Sequence, residues 1–280
     1  MATITTAPGR AGHGQLAVGL RMVGNETSKG LRVLWVHKLP LALQLAIMTA
    51  YYWAIQFFIG GGRLVDRLLA LTLAGYLAYV IGYIALLRMA AGVLEELYTG
   101  TLEQSLLSPL RPWVASTGRL AAALAEGLVT AAVVAAFYLA VFAVLDVQLT
   151  FRWAAVVPLA ATLVDIAGFA LLIGGLALVV NSIGAIIHVI QSVIMFLNGA
   201  FIPVFVFPGW LERTAKIFVP TTLGIDATRR ILVAGEPLRQ VWSDGTLPWA
   251  LFHAAVLLVG GAMVYQAAIR RGLREGRLGA

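Results

Sequence analysis

The chain has 280 residues, 60% of them hydrophobic and 12% charged, with a net charge of +7 and a mean hydropathy of +0.90. Soluble domains carry about 25% charged residues, so a water-soluble enzyme or binding module is excluded, and a basic membrane protein keeps its surplus Lys and Arg in loops on one side rather than against nucleic acid. The absence of cysteine removes disulfides, thiolate catalysis and Cys-ligated metals.

Residues 1–15 have no apolar core and read as a flexible cytoplasmic tail rather than a secretory signal. Residues 16–38 interleave apolar positions with Arg21, Lys29, Arg32 and Lys38, the pattern of a helix lying along the inner membrane face; an ordinary juxtamembrane linker fits the same pattern. Uncharged runs then predict membrane helices, each needing about 20 apolar residues. Spans one and two are expected at about 39–61 and 67–88, and span three at 120–145.

Between spans two and three, Val93, Leu94 and Leu97 form one short apolar set and Leu102, Leu106 and Leu107 another. Glu95, Glu96 and Glu103 take the polar positions, so residues 89–110 suit either a cytoplasmic helix that docks on another protein or a solvated interfacial loop.

Span four is expected at 153–180 and holds Asp165, an acid with no evident basic partner at its depth. An intramembrane carboxylate is either a helix-to-helix contact or a functional group. From Ile166 to Leu211 the chain carries no Asp, Glu, Lys or Arg, enough for the end of span four, a polar turn and span five at 183–200. Gly184, His188, Gln191, Met195 and Asn198 fall within about 80° of one another on a helix. Such a stripe faces protein or water rather than lipid, as a packed seam or as the lining of a path. Tyr76, Tyr79 and Tyr83 share a face of span two, for packing or for a substrate cavity.

After span five, Asn198-Gly199, Pro203 and Pro208-Gly209 interrupt a sequence that is still apolar. Broken apolar backbone is tolerated at membrane depth only where protein or a water-filled cavity covers it. Residues 201–246 therefore read as a re-entrant or external cap of short helices, with span six at 247–270. The fold expected is all-α and polytopic, with six transmembrane helices in a single domain. With both termini cytoplasmic, twelve of the twenty Lys and Arg fall on the inner side.

No lysine follows a glycine as a nucleotide-binding P-loop requires, the histidines lack metal-ligand spacing, and no nucleophile-elbow motif occurs. Nothing in these residues supports an enzyme active site or a bound metal.

Three segments in order resemble the permease subunit of bacterial type-2 ABC exporters, the group that includes daunorubicin and multidrug resistance permeases. They are Glu95-Glu96 with Gly100-Thr101-Leu102-Glu103-Gln104 and Leu107-Ser108-Pro109; Asn198-Gly199 through Pro203 to Phe207-Pro208-Gly209-Trp210; and Pro220 followed by Asp226-Ala227 and Arg229. The resemblance runs from about Leu31 to Ile269. Asn198 departs from it where a small residue is common, and Thr221 to Gly224 replace an aromatic-containing stretch. The resemblance implies that Val93 to Leu107 is a coupling helix seated on a separate ATPase subunit, with Glu95, Glu96 and Glu103 as its polar contacts. It implies two permease chains, as a homodimer, and two ATPase chains that bind ATP and Mg, in the bacterial inner membrane. Spans two and five, carrying Tyr76, Tyr79, Tyr83, His188, Gln191, Met195 and Asn198, would flank a path or seam. Phe201, Pro203, Phe207, Pro208 and Trp210 would form an external gate. The cargo implied is an amphipathic or hydrophobic molecule; a lipid-linked glycan is the neighbouring alternative. An ion-coupled secondary transporter using Asp165 and His188 is a different class, for which inverted repeats are expected, and a non-transporting membrane scaffold is a third.

Overall fold

The computed structural model describes residues 11–101, 112–147, 152–180 and 183–275, and every regular element among them is helical. Helix α1 (Ala11–Val36) is followed, after His37 alone, by α2 (Lys38–Ile59). Next come α3 (Asp66–Tyr98) and α4 (Pro112–Val144), each of 33 residues. A 3₁₀ turn at Trp153–Ala155 leads into α5 (Val156–Ala177), and α6 covers Ile183–Leu197. Three short helices, α7 (Gly209–Phe218), α8 (Thr222–Leu232) and α9 (Leu238–Ser243), precede α10 (Thr246–Glu275).

Five of these elements are long and apolar enough to cross a membrane: α2, α3, α4, α5 with its leading turn, and α10. The expected fifth span is α6, apolar but only 15 residues long. At 1.5 Å per residue it measures about 22 Å against a hydrocarbon core of about 30 Å. Asn198 and Gly199, where φ is 80°, stop it short of the expected residue 200. In contrast, α3 and α4 are about 50 Å long, so each outruns the core by about 20 Å. Their uncharged stretches lie toward Asp66 and Val144. The projecting parts are therefore Arg88–Tyr98 and Pro112–Glu126, on the side away from the α7–α9 cap. The segment expected as a separate coupling helix thus begins as a direct continuation of span two, and its residues 102–110 lie outside the described residues.

The tightest helix pair is α5 with α10. A Cβ at Gly168 would lie 2.3 Å from the Leu258 nitrogen, and one at Gly261 would lie 2.1 Å from the Gly168 oxygen. Only glycines permit that backbone approach, which is how helices gain van der Waals contact where lipid offers no hydrophobic drive. On its other side α5 packs on α3, and α3 on α4. Helix α1, expected at the membrane face, rests along the projecting half of α4: Gly19 approaches Val114 and Gly118 approaches Glu26.

The core has two layers. Toward the cap it is aromatic: Tyr52, Tyr76, Tyr79, Tyr138, Phe142 and Phe201 are buried together. On the other side it is aliphatic, from Leu86, Met89 and Val93 of α3, Ile166 to Ala177 of α5, Ile183 and Ile187 of α6, and Tyr265 of α10. Helix α2 joins through its long side chains, burying only Tyr52 and Gln56 fully.

Candidate functional site

The cap packs into the helix bundle. Helix α8 buries Thr222 to Arg229 and Ile231, wedged against α5, α3 and α10. What holds it there is a polar node at Asp165, whose side chain is 7% exposed. Its Oδ2 accepts the backbone N–H of Thr221, and its Oδ1 lies 2.9 Å from Nδ1 of His253 on α10. The other ring nitrogen of His253, Nε2, is 3.1 Å from the carbonyl of Ile217 in the cap. A carbonyl only accepts, so Nε2 donates; the proton between Nδ1 and Oδ1 is then shared by histidine and carboxylate. His253 is therefore the basic partner that was not evident beside Asp165. It comes from a helix 88 residues further along, and only the fold brings it to the same depth.

Thr221 itself has φ of 71°, an unusual backbone for a β-branched residue. Asp165 fixes its nitrogen, and the Asn198 amide donates to its hydroxyl at 3.1 Å. Asn198 Oδ1 in turn accepts the Ala200 N–H at 2.9 Å. One cluster thus ties together α5, α10, the end of α6 and the entry to α8. Asn198 supplies both of these bonds from one side chain.

Beside this node, Arg229 is 3% exposed. Its Nε donates to the Leu71 carbonyl of α3, and Nη2 donates to Gly199 and, at 3.4 Å, to Ala200. Burial pushes the guanidinium down to about 10, with nearby Asp226 acting in the opposite sense, so it is still a cation at neutral pH. Gly75 makes room for this: a Cβ there would sit 2.7 Å from Ala200 Cα and 3.1 Å from Arg229 Nη2. The break after α6 is thereby clamped onto α3. Gln56 of α2 reaches the same break, donating to the Phe201 carbonyl at 3.5 Å. Lys216 of α7 bridges Glu212 and Asp226, and Arg230 pairs with Glu236 and Asp244.

The expected gate residues divide. Phe201 and Pro203 are buried, Phe207 is half-buried, and Pro208 and Trp210 are exposed. Phe201 stacks edge-on with Tyr76 at 5.6 Å and Tyr79 at 5.7 Å, and Tyr79 adjoins Tyr83 at 6.0 Å. Met195 packs against this cluster. Of the α6 stripe, Gln191 and Asn198 are buried while Gly184 and His188 are exposed. Gln191 donates to the Tyr83 carbonyl at 3.4 Å. Tyr79, Tyr83, Gln191 and Asn198 surround a cavity of about 20 Å³. That space holds one water at most, so the inner side of the stripe is closed within the single chain.

At the opposite end, Glu96 faces inward. It pairs with Arg119 of α4, whose Nη1 also donates to the Tyr265 hydroxyl of α10 at 2.6 Å. Arg88 meets Glu126 at 2.6 Å about two turns closer to the cap. Glu95 is exposed at the end of α3, next to Tyr98 at 82% exposure, and Glu103 lies outside the described residues. Among the described residues no group of three His, Asp or Glu is placed to hold a metal ion.

The profile of the family described as ABC-2 type transporter matches residues 32–233, from α1 to the residue after α8. The chain belongs to the ABC-2 type transporter family. No curated protein matches it. Membership makes this ABC-2 chain a multi-pass membrane permease. The matched region takes in the projecting ends of α3 and α4, Asp165, Thr221 and Arg229, while His253 and Tyr265, which complete the polar ties at the two ends, lie beyond it.

Proposed function

We propose that two copies of this ABC-2 chain form the membrane part of an ATP-driven exporter for an amphipathic or hydrophobic molecule in the bacterial inner membrane, working with a pair of separate ATPase subunits. The projecting side of α3 and α4 is assigned to the cytoplasm and the α7–α9 cap to the outside. The observation that carries the reading is α3: it runs unbroken from the clamped cap at Leu71 to an exposed terminus at Glu95 and Tyr98 beyond the membrane. An ATPase seated on that terminus acts on the same helix that holds the cap. A second permease chain is assigned to the outer side of α6, where His188 is exposed among Ile186, Val189 and Val193. An imidazole there is suited to protein or water, not lipid. The transport path is assigned to the space between the two copies, since the single chain encloses none at the stripe.

Co-expression with the products of the neighbouring reading frames, one of which is expected to be an ATPase, tests this. A stable complex that hydrolyses ATP is expected. The double variant Glu95→Lys, Tyr98→Ala should reduce complex recovery while the permease alone keeps its elution profile. Full recovery of the complex with both changes would remove the α3 terminus as the docking site, and failure of any ATPase to copurify would remove the exporter reading.

A further inference from the structure

Helices α3, α4 and α5 part on the cap side to leave a groove of about 770 Å³, roofed by Leu232 and Val233 at the end of α8. This lies within the range of about 300–1,000 Å³ occupied by small-molecule sites. It exists because the facing positions are small: Ala70, Ala74 and Ala78 on α3 look across at Ala131, Ala132 and Ala135 on α4. One hydroxyl lines it, that of Thr162, and it is spent on the Pro158 carbonyl at 2.8 Å. The lining is predominantly apolar, which suits an unbranched hydrocarbon chain better than ordered water. Alanines on both walls admit a chain where leucines would close the space.

A charge is bonded to the chain close to the roof of the groove. Arg152, exposed at the start of the α5 turn, donates from Nη1 to the Gly235 carbonyl at 2.8 Å, two residues beyond Val233. Glu236, the acid next to Gly235, is held by Arg230 at 2.5 Å, and no ion pair of Arg152 is found among the described residues. Trp153 follows, 80% exposed, as expected of an aromatic side chain at the membrane–water interface. Cation and indole set the level of the headgroups, and the groove descends from there into the apolar layer.

We infer that this groove is a binding site for an anionic phospholipid of the cap-side leaflet, with one acyl chain between α3, α4 and α5 and its phosphodiester at Arg152. The site lies on the outside of the chain and is separate from the α6 stripe. Its occupancy holds α8 down through Leu232 and Val233, and so bears on the cap from the lipid side.

The purified, delipidated permease without its ATPase is titrated with dioleoyl phosphatidylglycerol and with dioleoylglycerol, which has the same chains and no phosphate, and read by native mass spectrometry. One phosphatidylglycerol per chain is expected to bind in preference to dioleoylglycerol. Ala74→Phe with Ala135→Phe fills the groove and should weaken that binding by about tenfold or more. Arg152→Gln should abolish the preference between the two lipids while leaving chain binding intact. Equal affinity for both lipids in the unaltered protein, or unchanged binding in the filled variant, overturns the assignment. A phosphatidylglycerol with a photoactivatable acyl chain tests the unaltered protein independently. Adducts on 70–81 and 128–139 are expected; adducts confined to α2 or α6 overturn it. Because no ATPase is present, the result is independent of whether the chain exports anything.

Discussion

Replacing Asp165 separates a structural latch from an ion-coupling carboxylate. The carboxylate accepts from Thr221 N–H and from His253, both in a nearly dry setting. Asp165→Ala leaves a backbone donor and a histidine without partners; breaking a buried pair in this way costs about 3–5 kcal/mol. Asp165→Asn keeps the shape, but its amide offers one acceptor where two donors converge, so one contact turns repulsive or is lost. One unsatisfied buried group costs about 1–3 kcal/mol. The order of stability should be wild type, then Asp165→Asn, then Asp165→Ala. In the Asp165→Ala background, His253→Ala should add much less than it does alone, because the two changes remove one interaction. Equilibrium unfolding in mixed micelles gives these differences, and limited proteolysis of the 217–221 segment reports whether the cap has come loose. The reasoning fails if Asp165→Asn is as stable as wild type with an intact cap yet transports nothing. That result would mark Asp165 as a proton or cation site and favour a secondary transporter.

At the other end, Arg119→Glu should destabilise the isolated permease by up to about 3 kcal/mol, the low end for a buried pair because Glu96 is 31% exposed. Adding Glu96→Arg should restore most of the loss of melting temperature; no restoration would mean the pair is incidental. In the cap, partial burial pushes Asp244 up, but the Thr246 backbone N–H and Arg230 outweigh it and hold its carboxyl below the usual range. A depressed carboxylate stabilises the fold above the ordinary value of about 4 and loses that contribution as pH falls through its own folded value. The melting temperature of wild type should therefore exceed that of Asp244→Asn at about pH 6 and converge with it as the pH falls through the carboxyl's lowered folded value. A gap that persists in acid contradicts the assignment.

The long helices were legible because a membrane reduces the problem to one variable, the length of an uncharged run. The 20 residues from Leu68 to Leu87 and the run from Gly127 to Leu145 located α3 and α4. Where those helices end was not legible, since beyond the bilayer the charge count no longer constrains them. Tyr98 closes α3 ten residues after Arg88. Partners across the fold were also hidden. The sequence places Glu96 beside Glu95 with identical chemistry, but one turns to Arg119 and the other to solvent. That 100° difference in direction acquires meaning only once α4 is in position. His253 sits amid apolar residues of the last helix, and its role follows from depth, which a one-dimensional pattern does not report. The signal available was the rarity of a second ionisable group within the spans. Pairing Asp165 with the one histidine of the final helix would have followed from that rule. Arg229 was visible in a motif, but three carbonyl acceptors from two distant segments were not.

The two 33-residue helices have a mechanical consequence. A rod about 50 Å long that tilts by about 5° about one end carries the other through roughly 4 Å, close to the rise of a helical turn. Leu71, near one end of α3, is gripped by Arg229, and Glu96, near the other, is gripped by Arg119. Between those grips α3 is one continuous helix, so a tilt of one end would carry the other with it. Leu71, Gly199 and Ala200 all share one guanidinium, so the tie between α3 and the break after α6 stands or falls with a single side chain.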